Sequence, residues 1–328
     1  MALKTVQLEL YVYEGTVGSY TTTDLKYTLQ NSLIGDDTNV IFEISELVRD
    51  YLTLSFNNDY VSKCLWATTI ATFLDENDNV FSYGSPVTNN YLAVEGYGFF
   101  EDGASPELSR NALITSNTIY LPENTAGKLP IFAEGVGKVT IDSTDTQVTD
   151  NGNTNQMIQY LTIPADSSSI KVYDTDDTTL LKTITVNNVC EPKFTPYKVT
   201  FTNKYGAFRD LYFFKKTTES FSVTDETFKR NTISNSTATY NKYAGQQERY
   251  NSNATKSISL NTGFINEDSN STIEELFLSE NVWIRYDNDN LPIIPKSKSL
   301  TLKTSLNDKL SNYTVDFEFA FNKINNVR

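Results

Sequence analysis

From the first residues the chain alternates apolar and polar positions with a period of two. Leu8, Leu10 and Val12 alternate with Glu9, Tyr11 and Tyr13, the pattern of a strand with one buried face. Short runs rich in Thr, Val, Tyr, Phe and Ile recur, broken by polar clusters such as Gly35-Asp36-Asp37 and Asp75-Glu76-Asn77-Asp78-Asn79. Such clusters supply the turn chemistry that hairpins need. Residues 65–74 and 80–83 flank the second cluster and predict a hairpin. Further strands are expected at 119–121, 138–141, 157–163, 169–173 and 180–186. Near the C-terminus Tyr313, Val315, Phe317, Phe319 and Phe321 fall on one face, with Thr314, Asp316, Glu318 and Ala320 opposite. Leu300 and Leu302 alternate with Thr301 and Lys303 on the expected partner strand, joined through residues 305–310 with Asn307-Asp308 as the turn. Five large apolar groups on one strand need a cover, either a second sheet of the same domain or a neighbouring subunit.

Two stretches follow a different period. In Ile44–Leu52 the apolar positions fall at i, i+3, i+4, i+7 and i+8, which predicts a helix of two or three turns with one apolar stripe. Ser271-Thr272-Ile273-Glu274 has the spacing of a capping box, in which Ser and Glu reciprocally satisfy the first N–H groups of a helix. Ile273, Leu276 and Phe277 would form its buried side. The expected fold class is therefore mainly β: multi-domain β-sandwich-like modules with two short helices. Three domains are expected: 1–115 with the first helix, 116–190 as a small β domain, and 191–328 with the second helix. Cys190–Pro196 holds two prolines in five residues and reads as a stiff extended connector. No fixed-period repeat is visible, which argues against a solenoid or propeller.

Composition narrows the chemistry. The 328 residues include no histidine, so neither a Ser-His-Asp or Cys-His nucleophile nor an imidazole zinc site is available. With 27 Lys+Arg against 41 Asp+Glu the formal charge is −14, which disfavours a nucleic-acid partner. No run approaches the roughly 18 apolar residues of a membrane span. The N-terminal MALKTVQLELYVYEG lacks the charged and apolar regions of a secretory signal, so a protein made and kept in a cytosol is expected. Cys64 and Cys190, the only cysteines, read as two small buried side chains rather than as a disulfide.

Candidate motifs are few. Gly135-Val136-Gly137-Lys138-Val139 lacks the upstream glycine and the hydroxyl of a phosphate loop and reads as a turn opening the 138–141 strand. The acidic clusters at 75–79, 174–177 and 287–290 do not match a calcium loop and read as solvated turns. Paired carboxylates could in principle hydrolyse a glycan without histidine, but 41 acidic residues always contain some such pair. No cofactor and no metal is expected. The more informative signal is aromatic. Gly96-Tyr97-Gly98-Phe99-Phe100-Glu101-Asp102-Gly103 sets three rings in a glycine-flanked loop. Tyr97, Phe99 and Phe100 are the candidate interface residues, since exposed rings carry much of the binding energy at contacts. Tyr212-Phe213-Phe214, Trp283 and Tyr286 are weaker candidates, better read as core at strand ends.

Several segments together resemble one family. Tyr197–Gly206, Asp210–Lys216, the helix segment 273–284, the tail 299–328 and the stretch 39–52 are similar to virion structural proteins of tailed bacteriophages, particularly those infecting Bacteroidetes-type hosts. The resemblance covers about half of the chain, touches no catalytic motif, and leaves 118–186 outside it. It implies a non-enzymatic part of the tail, baseplate or neck, assembled in the host cytoplasm. Its partners would be further copies of itself, in a symmetric homo-oligomer, and neighbouring tail proteins. The alternatives are a carbohydrate-binding adhesin that stacks rings on a host glycan, a head–tail neck component, and a carboxylate-based glycan hydrolase carried on the virion.

Overall fold

The computed structural model describes residues 3–34, 39–80, 86–108, 111–230, 233, 236–239, 242–243, 245–297 and 310–324. It is mainly β, 52% strand and 9% helix, in sandwich-like modules of several sheets. Strands β1 (Leu3–Tyr13) and β2 (Leu25–Ser32), helix α1 (Ser45–Arg49), and strands β3 (Cys64–Asp75) and β4 (Val87–Val94) come first. The four strands form an antiparallel sheet in the order β2-β1-β3-β4. The expected hairpin is rearranged: Leu74 meets Val80 in an isolated bridge, but β3 takes its ladder from β4. Residues 81–83 of that expectation lie outside the described residues, as do Gly35-Asp36-Asp37. Asp75 closes the turn. Its carboxylate accepts the Asn77 and Asn79 N–H groups at 2.8 and 2.9 Å, and these donors hold it below the usual carboxylate range.

This sheet is covered on both faces, not one. Leu10, Val12, Leu65 and Ala67 pack with Val48 of α1 and its neighbours Ile44, Leu47 and Leu52. On the reverse side Tyr13, Cys64 and Trp66 pack with Phe132, Met157 and Ile158. Alternation therefore sorts residues between two cores, which is why Tyr13 is as buried as Val12. Helix α1 is shorter than its apolar stripe suggests. The chain leaves the α-helix after Arg49 through i→i+3 bonds from Tyr51 and Leu52, while Leu52 still reaches the core.

Next come β5 (Thr118–Pro122), β6 (Gly127–Phe132), β7 (Lys138–Ile141), β8 (Thr144–Gln147), α2 (Thr154–Met157), β9 (Ile158–Ile163), β10 (Ser169–Tyr173) and β11 (Leu180–Val189). They form a five-stranded sheet, β5-β11-β10-β7-β8, and a separate β6-β9 pair. All five strands expected here are present. The single turn of α2 was not foreseen: the Asn153 side chain caps it by accepting the Asn155 N–H at 3.0 Å, which moves Met157 from strand to helix. Gly135 takes φ +81° in the turn before β7, a conformation that favours glycine.

The remaining elements are β12 (Tyr197–Thr202), β13 (Phe208–Phe213), β14 (Thr218–Lys229), β15 (Gln247–Asn266), α3 (Asn270–Leu278), β16 (Val282–Tyr286), β17 (Asp289–Pro295), β18 (Leu310–Phe319) and β19 (Lys323–Ile324). Strands β16-β17-β18-β15-β14 are neighbours in that order, and β19 also pairs with β15. On β18, Tyr313, Val315, Phe317 and Phe319 are buried as their alternation predicts, whereas Phe321 lies past the strand end and is exposed. The described partners of β18 are β15 and β17. Leu300–Lys303 and the expected turn at Asn307-Asp308 lie outside the described residues. Helix α3 does not open with the capping box. A 3-10 turn at Glu267–Ser269 precedes it, and the Ser271 hydroxyl donates to the Asp268 carbonyl at 3.2 Å. Ile273 and Leu276 are buried as expected, Phe277 only half so, and Glu275 is buried although its neighbours gave no sign of it.

The chain divides into two compact units. The first comprises Met1–Cys190, Thr200–Leu211 and Asp268–Asn281; the second comprises Glu191–Val199, Tyr212–Glu267 and Val282–Arg328. Cys64 is buried, but Cys190 is exposed and the two are not bridged. The expectation of two buried thiols fails because β11 ends at Val189 and leaves Cys190 outside any strand.

Candidate functional site

In the first unit a cleft of about 800 Å³ opens beside the aromatic loop. Its walls are α1, the end of β4, the loop flanks Gly96–Gly98 and Ser105–Leu108, Thr202 with Lys204, and the residues after α3. Glycine lets two of these walls meet. A Cβ at Gly96 would stand 2.6 Å from the Lys204 carbonyl oxygen, and one at Gly206 would stand 2.9 Å from the Val94 Cβ. The next residue uses that approach, the Tyr97 N–H donating to the same Lys204 carbonyl at 2.9 Å.

Arg49, in the last turn of α1, ties three walls together. Its Nε and Nη2 donate to Glu95 Oε1 at 3.2 and 3.0 Å, and Nη2 also reaches Glu280 Oε2 at 2.5 Å. The Glu95 carboxylate, then that of Glu280, raises the guanidinium pKa further. Tyr97 lines the cleft, and its hydroxyl lies 3.5 Å from the Glu275 carbonyl. Burial first and the nearby Glu275 charge second push that hydroxyl well above the usual phenol range. Phe99 packs edge-on against Tyr97 with centroids 6.0 Å apart, and Phe100, opening a 3-10 turn, is fully exposed at 103%. The three candidate rings thus divide: Tyr97 faces the cleft, Phe99 supports it, and Phe100 points to solvent. Tyr212, Phe213, Phe214 and Trp283 are buried core residues.

A buried ionic network lies deeper in the same unit. Glu275 and Arg209 are only 2% and 6% exposed and pair at 3.5 Å. Arg209 Nη2 donates to the Ser116 hydroxyl at 2.6 Å, and the Thr115 hydroxyl donates to Glu275. Lys182 Nζ donates to the Ile114 carbonyl at 2.5 Å. Burial, reinforced by the Arg209 charge, pushes the Lys182 ammonium down to about 8. Arg209 and Glu275 hold each other, as buried charges must, Lys182 is held by a backbone carbonyl, and the Arg49 guanidinium is held by carboxylates of its own chain. Among the described residues no group of three or more Cys, Asp or Glu side chains is placed to hold a metal ion, and no helix is long and apolar enough to cross a membrane.

In the second unit the notable feature is an arm. All twelve residues of β14 are exposed, and so are Gln247–Asn251 of its partner β15. The ladder runs from Thr218 opposite Ser259 to Lys229 opposite Gln247, with an irregularity at Thr224/Glu226. At about 3.4 Å per residue, β14 alone is about 40 Å long. Arg249 pairs with Asp225 at 2.5 Å, Arg230 with Glu248 at 3.2 Å, and Phe228 meets the Tyr250 ring edge-on. Near its base, Lys256 Nζ donates to the Tyr286 hydroxyl at 2.5 Å and pairs with Glu219 at 2.8 Å. Sequence reasoning missed this element. Its signal was present in the alternation of Phe221 and Val223 with Ser220, Ser222 and Thr224, but it is diluted by charges and lacks the apolar density of a core strand.

Comparison with known protein families, with curated proteins and with solved structures finds no match in any of the three.

Proposed function

We propose that this chain is a non-enzymatic structural protein of a phage virion, a tail or baseplate part that assembles into a symmetric homo-oligomer and docks neighbouring tail proteins. The observation that supports this most is the arm. A two-stranded ribbon is at best marginally stable in water by itself. Here one continues beyond the buried part of β15 with Phe228 and Tyr250 exposed, and nearer its base, opposite Lys256 and the buried Ala254, Phe221 and Val223 of β14 are exposed too. A ribbon of that kind is stabilised when a partner covers it, and repeated copies of one chain provide that partner through a closed ring. The arrangement of the first unit agrees with a mechanical role, because its ionic groups brace elements against one another.

The test compares the full chain with a shortened one, in which residues 224–253 are replaced by an Asn-Gly turn joining Val223 to Ala254. These two residues already face each other in the ladder, and Asn-Gly suits a two-residue hairpin turn. Light scattering across concentration should give a defined closed oligomer for the full chain and a folded monomer for the shortened one. A full chain that stays monomeric at every concentration overturns the proposal.

A second reading, a glycan-binding module, draws on the cleft, where Tyr91 and Tyr97 present rings to about 800 Å³ of open volume. Binding to a glycan array that is lost in Tyr97→Ala would favour it.

A further inference from the structure

We infer that the cleft of the first unit takes an uncharged, hydroxyl-rich ligand, a neutral sugar, and turns away sugars that carry a carboxylate. The inference rests on the second reading above and names the class of glycan and the groups that would select it.

Volume and apolar lining come first. The cleft of about 800 Å³ falls within the roughly 300–1,000 Å³ of small-molecule sites. Val48 of α1 and Ala93 of β4 supply apolar surface, and the rings of Tyr91 and Tyr97 add flat faces beside it. Tyr91 is 50% exposed. A pyranose presents C–H groups on its ring faces and hydroxyls at its rim, so it needs apolar surface of this kind together with polar partners.

The polar partners combine acceptors and donors, as hydroxyls require. Glu95 and Glu280 each give one oxygen to Arg49, which leaves the second oxygen of each to accept. Thr202, at the end of β12, lines the same cleft. It is only 3% exposed, and its hydroxyl has no hydrogen-bond partner among the described residues. A buried polar group in that state costs stability that an apolar residue of the same shape would not, so its presence points to a partner that arrives from outside. The oxygen is shielded from bulk water. Its partner is therefore a group of a seated ligand, met by rotation of the threonine side chain.

Charge sets the class of sugar. Three carboxylates, Glu46, Glu95 and Glu280, face two cations, Arg49 and Lys204, in the lining, within a chain of net charge −14. Both cations are already engaged. Arg49 is held by two of the carboxylates, and the Lys204 ammonium stands 5.2 Å from the centroid of the Tyr205 ring. A sialic or uronic acid would enter against this field, whereas a neutral sugar meets no such repulsion.

The test probes an array of neutral oligosaccharides, set beside sialylated and uronic-acid-bearing ones, with the full chain. Calorimetric titration of the strongest neutral binder follows. Neutral members should bind and acidic ones should not. Thr202→Val should weaken that sugar roughly 10-fold, the loss of about one hydrogen bond. Its thermal midpoint should stay at or above that of the parent, because the hydroxyl it removes is unpaired. Acidic members bound as tightly as neutral ones, a Thr202→Val variant that binds like the parent, or a lowered midpoint in that variant overturns this inference. In each of those cases binding that is lost in Tyr97→Ala keeps the second reading. An array with no bound member overturns both.

Discussion

The buried Arg209–Glu275 pair makes a quantitative prediction about what braces the first unit. At 3.5 Å and an effective dielectric of about 20, the gross attraction is about 5 kcal/mol. Removing two ions from water costs several kcal/mol each, so the pair as a whole contributes little net stability. Removing one member is different, because the survivor stays buried without its counter-charge. Glu275→Leu should therefore cost about 3–5 kcal/mol, as should Arg209→Met. The double variant removes both charges and leaves only the Thr115 and Ser116 hydroxyls without these partners, a cost of about 1 kcal/mol each. It should be more stable than either single variant, with a coupling of roughly 4–8 kcal/mol. Urea unfolding provides the assay. The two tryptophans fall in different units, Trp66 in the first and Trp283 in the second, so a Trp283→Phe background reports the first unit alone. With a slope of about 2 kcal/mol per molar urea, each single variant should lose about 2 M in midpoint and the double variant at most about 1 M. A double variant whose loss equals the sum of the two singles refutes the reasoning, since the cost would then lie in lost packing and not in an unpaired charge.

Two other outcomes follow from groups near the same core. Lys182 has its pKa pushed down to about 8, whereas an unfolded chain keeps lysine protonated to about 10.4. Between those values the unfolded state binds the extra proton, so stability rises with pH there and the full cost is present below 8. Lys182→Met should be more stable than the parent at pH 7 by at most about 3 kcal/mol, less about 1 for the lost Ile114 hydrogen bond. That gap should close toward pH 10; a gap that stays constant in paired denaturation curves contradicts the assignment. Thiol labelling separates the cysteines: the exposed Cys190 should react at once in the native protein. Burial lifts the Cys64 thiol to about 11, so it should react only on unfolding, and two rapid equivalents in the native state would be incompatible with its position.

The strands were readable in the sequence where burial and period agree. Ile170 and Val172, or Val139 and Ile141, alternate cleanly because one strand face enters a core. Reading was poorer where a polar group decides the local structure. The Asn153 cap makes a helical turn at α2 from residues that look like the start of a strand. Glu275 is legible only as another helix-surface carboxylate, because its partner Arg209 lies 66 positions away. The loop containing Tyr97, Phe99 and Phe100 was visible as an aromatic cluster. The cleft beside it was not, since its walls come from segments as distant as Arg49 and Glu280 and a one-dimensional pattern carries no such proximity. The arm escaped for the opposite reason: an exposed ribbon buries no face, so hydrophobic periodicity, which records burial, hardly marks it.

The first unit is assembled from three separated stretches of chain, the last ending at Asn281. A ribosome releases the chain from its N-terminus, so Arg209 emerges long before the Glu275 that neutralises it. Until α3 clears the exit tunnel the nascent unit carries an unpaired cation and an open core. Its final closure therefore waits for the stretch ending at Asn281 to be made. The self-association proposed above, through an arm whose strands emerge before α3, would then have an opportunity to begin on the polysome, between neighbouring nascent chains whose first unit is still incomplete.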